Sequence, residues 1–220
     1  MSVARSGHVP EGVVERLPGY LNVLMQLRKE GESTVSSARL GELTGVNPAQ
    51  IRRDLTHFGQ FGTRGVGYDV PRLIDRVQHI LGSDHSHRIV LVGAGHLGSA
   101  IAAYDGLRTR GFALAAVFDK DPDRVGGRAG DVVVRHISEL PRVVAEQRVQ
   151  FGVIAVPADA AQEVADLMVS AGIRVILNYS STIVRAPGPV IVHNTDPVRE
   201  LLHTLYYLAR SDEMTGTAHG

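Results

Sequence analysis

The stretch RIVLVGAGHLGSAIAAY, residues 88–104, decides the architecture of this chain. Four apolar residues, Ile89, Val90, Leu91 and Val92, run straight into Gly93-Ala94-Gly95-His96-Leu97-Gly98, and a helical pattern follows over 97–110. The next apolar run, Leu114-Ala115-Ala116-Val117-Phe118, ends on Asp119, 21 residues after Gly98. Strand, glycine turn, helix, strand, acid is the order of a dinucleotide-binding unit. The first glycine allows the tight turn, the second lets backbone approach a pyrophosphate, and the third lets the helix pack on the strand. Free N–H groups at the helix start favour an anion there. Asp119 is placed to accept hydrogen bonds from ribose hydroxyls, and its charge favours NAD over NADP. Lys120 and Arg124 stand close by in sequence and weaken that preference. Residues 93–98, with Asp119 and Lys120, are the cofactor-binding candidates. His96 faces phosphate and solvent in this reading rather than catalysing. A Rossmann scaffold without a ligand, or one holding another nucleotide such as coenzyme A, fits the same pattern.

Downstream, short apolar runs alternate with helical patterns. Strands are expected at 88–92, 113–118, 132–135, 151–156, 173–177 and 190–193, and helices at 97–110, 138–147 and 158–171. That alternation predicts a Rossmann-type parallel sheet with helices on both faces over 88–194. After Asp196-Pro197 the apolar residues are Val198, Leu201, Leu202, Leu205, Tyr206, Leu208 and Ala209. The stripe is too wide for a helix with one face in water. A helix over 195–210 therefore calls for cover by a second copy of the chain, and 211–220 reads as a tail.

Upstream, about eighty residues read as a different kind of domain, 1–82, joined through the polar SDHSH linker at 83–87. A helical pattern from about Pro10 to Glu30 places Val13, Val14, Leu17, Leu21, Leu24 and Leu27 at helical spacing, with a break or kink expected at Pro18-Gly19. Ser36 or Ser37 caps a short helix that Gly45 stops, and Asn47-Pro48 opens a second. Two short helices around a tight turn make a helix-turn-helix signature. On the second helix Ile51, Leu55 and Phe58 share one face, leaving Gln50, Arg52, Arg53, Thr56 and His57 outward. Arg reads guanine and Gln reads adenine in a major groove, so Gln50, Arg52, Arg53 and His57 are the DNA-binding candidates. The following GQFGTRGVGYDV (59–70) reads as a glycine-rich hairpin with Arg64 at its tip, the wing of a winged helix. Pro71 to Leu81 gives one more amphipathic helix.

Bulk properties exclude several classes. Net charge is zero, so any attraction to nucleic acid is local. Residues 1–82 hold ten Lys/Arg against eight Asp/Glu, a bias too small to argue for DNA by itself. The chain has no cysteine, which removes disulfides, zinc-thiolate sites and thiol redox chemistry. No run reaches the roughly 18 apolar residues of a membrane span, and the first residues have no apolar secretion core, so a cytoplasmic address is expected. The ten histidines show no metal-ligand spacing, and no Ser-His-Asp order or carboxylate pair presents itself.

Taken together, these residues resemble the Rex family of redox-sensing transcriptional repressors, from about Pro10 to Arg210. The resemblance is carried by LGELTGVNPAQIRRDLTHFGQFGTRGVGYDV (40–70), VGAGHLGSAIAAY (92–104), VFDKDP (117–122), IAVPADAAQEVADLMVSAGIRVILNYS (154–180) and the terminal segment from Asp196. FGQFGTRGVGY is its most specific part. It implies an α/β chain: a winged helix-turn-helix head, a Rossmann domain and a swapped C-terminal helix. It implies a homodimer on palindromic operator DNA that senses NADH against NAD⁺ and is released by NADH. It also implies state-dependent contacts among a Tyr on the glycine-loop helix, an Asp at the start of the terminal helix and an Arg on the first helix. Those positions match Tyr104, Asp196 and Arg16. Pro197 departs from the larger apolar residue usual after that Asp.

The rival from another class is an NAD-dependent oxidoreductase with an accessory DNA-binding head. Only about twenty residues follow the last strand, which leaves no substrate domain, and no proton-transfer group is placed for hydride chemistry. A second rival is a coenzyme A or NADP module with a protein-docking winged helix.

Overall fold

The computed structural model describes residues 9–59, 62–63 and 66–195. The chain divides into two compact units between His85 and Ser86. In the first, α1 (Glu11–Lys29), α2 (Ser37–Thr44), α3 (Pro48–Thr56) and α4 (Val70–Leu81) accompany β1 (Thr34–Val35), β2 (Gly62–Thr63) and β3 (Gly67–Asp69). The caps are the sequence-visible ones. Ser36 Oγ accepts from Arg39 N at 3.0 Å and Asn47 Oδ1 from Ala49 N at 2.8 Å, so α2 and α3 start where short polar side chains satisfy free N–H groups. Leu17, Leu24, Leu40, Ile51, Leu55 and Ile74 meet in one buried core. The three strands form an antiparallel sheet in the order β1-β3-β2. The hairpin is the expected wing; β1, two residues long, is a third strand that the sequence does not announce.

Two expectations about helices need correction. α1 is continuous through Pro18. An interior proline costs about 3 kcal/mol, yet α1 buries Val13, Leu17, Tyr20, Leu21, Leu24 and Leu27, each contributing about 1.5–3 kcal/mol. Packing on both sides of the proline outweighs the local preference. The single helix expected over 97–110 is two: α5 (His96–Ala102) and α6 (Gly106–Thr109). The ring of Tyr104 lies against Gly106, where any Cβ would collide with it, and the chain turns at that contact.

The second unit holds a seven-stranded sheet. Its strands are β4 (His87–Val92), β5 (Phe112–Asp119), β6 (Arg128–Ala129), β7 (Val132–His136), β8 (Phe151–Ile154), β9 (Val175–Asn178) and β10 (Ile191–Asn194), in the order β10-β9-β8-β4-β5-β7-β6. All neighbours pair in parallel except the edge strand β6, which is antiparallel to β7 and was not expected. Alternation along β4 divides the core. Val90 and Val92 pack with Leu140, Val143, Val144, Val164 and Met168 of α7 (Leu140–Gln147) and α8 (Ala158–Ser170). Ile89 and Leu91 belong to the cluster that includes Ile101, Ala102 and Leu107 of α5 and α6. Helices thus cover both faces, as a parallel sheet requires. No helix among the described residues is long and apolar enough to cross a membrane.

Candidate functional site

The strand order reverses at β4: the chain moves outward through β5 and β7, then returns to β8 on the other side. Open α/β sheets bind ligands at such a switch point, beyond the carboxyl ends of the strands. Gly93 stands there with φ +104°, and a Cβ on it would collide with the carbonyl of Ala155 after β8. A Cβ on Gly98 would collide with the Gly93 carbonyl. These two glycines let the loop turn tightly and the first turn of α5 close onto it.

Asp119, at the end of β5, is buried but for 8% of its surface. Its Oδ2 accepts from the Ala94 N–H at 2.7 Å and its Oδ1 from the Asp121 N–H at 3.0 Å. Burial alone pushes this carboxyl up; the N–H groups of Asp121 and Ala94 and the charge of Arg124 outweigh it, holding the acid below its ordinary range. The sequence placed Asp119 near a ribose. The structure adds that the same carboxylate fixes the glycine loop. Lys120 and His96 are exposed, as is Leu97, while Ala94 and Gly95 are half-buried.

A cleft of about 240 Å³ opens between Gly93, Asp119 and Lys120 on one side and Ala155, Val156 and Pro157 on the other. Pro157 and the start of α8 were not among the sequence candidates; their signal was the register of β8 beside β4, which brings Ala155 N to Val92 O at 2.8 Å. The donor set fits an adenosine diphosphate moiety: a cradle a Cβ would fill, a helix start, and an ionised acid beside them. A larger hollow of about 370 Å³ lies elsewhere, around Tyr104, Leu107, Phe112 and Val132. It contains neither the glycine loop nor Asp119.

In the first unit Arg52 and Arg53 of α3, and His57 just past its end, face solvent. Arg52 Nη1 donates to Ser37 Oγ at 3.0 Å, which steadies it without covering it. Gln50 differs from its expected outward freedom. It is half-buried, and its Nε2 donates to Asp54 Oδ1 at 2.7 Å. Asp54 is 1% exposed. It also accepts from Arg16 Nε at 2.7 Å, Arg16 Nη2 at 2.9 Å and Tyr20 Oη at 2.7 Å. Burial alone pushes its carboxyl up, and the bonds from Arg16, Tyr20 and Gln50 more than reverse that, leaving it below the usual range. The same contact keeps Arg16 firmly charged, and burial together with Asp54 raises the Tyr20 hydroxyl. Asp54 escaped the sequence reading, although a carboxylate between Ile51 and Phe58 falls on the apolar face and demands partners. Arg64 lies outside the described residues.

This arrangement has known counterparts. The redox-sensing transcriptional repressor Rex of Rubrobacter xylanophilus is 52% identical over 201 residues, covering 91% of this chain and 93% of that protein. Rex of Chloroflexus aurantiacus is 46% identical over 209 residues, covering 95% and 99%. The chain belongs to the Rex family. Residues 84–182 match the family model described as CoA binding domain, and residues 8–56 the one described as putative DNA-binding protein N-terminus. Two crystal structures of a Rex-family repressor, RSP, superpose over 96% of this chain. One, in complex with beta-NAD⁺ and operator DNA, has 35% identity and a TM-score of 0.82; the other, with beta-NADH, has 34% and 0.84.

Of the three positions the Rex resemblance singles out, Arg16 is engaged with Asp54 within its own unit. Tyr104 is not on the glycine-loop helix: it follows the end of α5, is 57% exposed, and its hydroxyl accepts from Arg110 Nη1 at 3.3 Å. Asp196, Pro197 and the expected terminal helix lie outside the described residues.

Proposed function

We propose that this chain is a repressor that reads the NADH/NAD⁺ balance and leaves its operator when NADH binds. One observation carries the reading: a single chain joins an exposed Arg52/Arg53 face on a capped second helix to a glycine loop braced by a buried acid at a sheet switch point. In this reading Gly93–Gly98, Asp119 and Lys120 hold the dinucleotide. Arg52, Arg53 and His57, with Arg64 of the wing and Gln50 set by Asp54, meet the DNA. The protein acts by binding rather than turnover, as a cytoplasmic homodimer on a palindromic site. The segment 195–210 is exchanged between subunits.

A ligand shifts a two-state equilibrium only through differential affinity. NADH and NAD⁺ share phosphates and riboses, so the glycine loop and Asp119 serve both alike. Discrimination falls at the nicotinamide, which differs by one charge and by ring planarity. Arg16, Tyr104 and Asp196 are the groups assigned to respond.

Operator binding followed by fluorescence anisotropy tests this across NADH:NAD⁺ ratios. NADH is expected to weaken operator binding about 5–150-fold, and reciprocity requires operator to weaken NADH by the same factor. Equal operator affinity at every ratio overturns the reading. Independently, Arg52→Ala or Arg53→Ala is expected to cost operator binding about tenfold, within the roughly 1–3 kcal/mol of one base or phosphate contact. NADH affinity, measured by calorimetry, stays unchanged; loss of both together would place the arginines in the fold instead of on DNA.

A further inference from the structure

Arg124 has no part in the assignments above. It follows β5 in the turn Asp121–Gly127, and its Nη1 stands 3.4 Å from Asp119 Oδ2 while its Nε stands 3.3 Å from Asp121 Oδ2. A Cβ built on Gly95 would come within 3.0 Å of the same Nη1. One guanidinium therefore spans the buried acid and the second glycine of the loop, which is the place where backbone must approach a diphosphate. The Arg124 side chain is 46% exposed, so packing does not lock it there. Water reaches the guanidinium side of this 3.4 Å pair and screens it, so Arg124 can exchange partners at little cost. A phosphate offers more: a guanidinium meets it through two parallel charge-assisted bonds, each about twice as strong as a neutral one.

The geometry points to Arg124 as a diphosphate-binding residue that gives up Asp119 when an ADP moiety enters the cleft. The carboxylate has about four acceptor positions; Ala94 N, Asp121 N and Arg124 each take one, and the Lys120 N–H also bears on it. Withdrawal of Arg124 frees one of them for a ribose hydroxyl. It also moves a cleft-lining positive charge away from Asp119 and places it over the glycine loop. The missing side chain at Gly95 serves both the diphosphate and the arginine, since a larger residue would push the guanidinium off the loop.

This inference rests on the cofactor reading of the cleft, and the test separates the two. Adenosine, ADP and NADH are titrated calorimetrically into the full-length protein and into Arg124→Ala and Arg124→Lys. The alanine variant is expected to bind ADP and NADH about tenfold more weakly, a loss of about 1.4 kcal/mol, with adenosine unchanged or slightly tighter. Its ADP affinity should also fall less steeply with added salt, because one screened charge is gone. Lysine should restore part of the loss. Equal weakening of adenosine and ADP would make Arg124 a wall of the cleft, and no change in either would leave it outside the site; both results overturn the proposal. If wild-type protein binds neither ADP nor NADH, the cofactor reading itself falls, and this inference with it.

Discussion

Arg16→Met is expected to destabilise the first unit by about 3 kcal/mol, the lower end of the range for stripping one partner from a buried ion pair. The low end applies because the Arg16 side chain is about one-third exposed while Asp54 is 1% exposed. The loss arises from the charge left behind more than from the bond removed. Tyr20 and Gln50 alone must then satisfy an acid with no countercharge. For a unit of this size each kcal/mol moves the melting temperature by about 4–8 °C, so thermal unfolding of the full chain should show a drop of more than about 10 °C. Arg16→Lys, which keeps the charge but loses the two-pronged fork, should fall between the two. The pH dependence has a definite sign. The folded Asp54 carboxyl lies below its unfolded value of 3.8. Its contribution is therefore complete above that value and disappears as pH falls through the lower, folded value. Wild type should lose stability in that acid window, and Arg16→Met should lose less there because it has less to lose. Identical melting of wild type and Arg16→Met at neutral pH would show that Tyr20 and Gln50 suffice.

Gly93→Ala should abolish most nucleotide binding. The substitution forces a side chain onto a backbone at φ +104° and drives its Cβ into the Ala155 carbonyl. Positive-φ strain costs about 1–2 kcal/mol and overpacking about 1–3. Both fall where β4 and β8 diverge to form the cleft. A loss of about 100-fold in NADH affinity corresponds to about 3 kcal/mol and is the expected calorimetric result, with a lower melting temperature. Gly82→Ala is the control. Gly82 also has positive φ, at +69°, but open space where its Cβ would go, and it lies in the first unit. It should cost about 1–2 kcal/mol and leave NADH affinity as in wild type. Wild-type NADH binding by Gly93→Ala would refute the role given to the loop.

The parts legible in the sequence are those governed by local chemistry. Ser36 and Asn47 announced α2 and α3 because a short polar side chain at a helix start has one main use. The run 88–98 announced β4, its turn and α5 because so few backbones require three glycines at that spacing. What escaped depends on contacts distant along the chain. Pro18 looked like a break until the burial of Leu17, Tyr20 and Leu21 was known. The turn at Tyr104 depends on a ring lying against Gly106, and the edge strand β6 exists only through its pairing with β7. Asp54 was visible as an acid on an apolar face, but Arg16 and Tyr20, its partners, sit 38 and 34 residues away. Arg124 was seen only as a neighbour of Asp119 in sequence. That its guanidinium reaches the glycine loop follows from the fold of the turn after β5.

The three-sided hold on Asp54 also bears on how a protein of this kind can change its target over evolutionary time. Arg52 and Arg53 on α3, and His57 at its end, have no buried partner to answer to, so mutation can retune them one at a time. Gln50 has no such liberty. Its amide bonds Asp54, which α1 also holds, so a new residue there strips one donor from a buried carboxylate. If this helix reads DNA as proposed, drift in promoter preference should begin at the arginines and run slower at the glutamine.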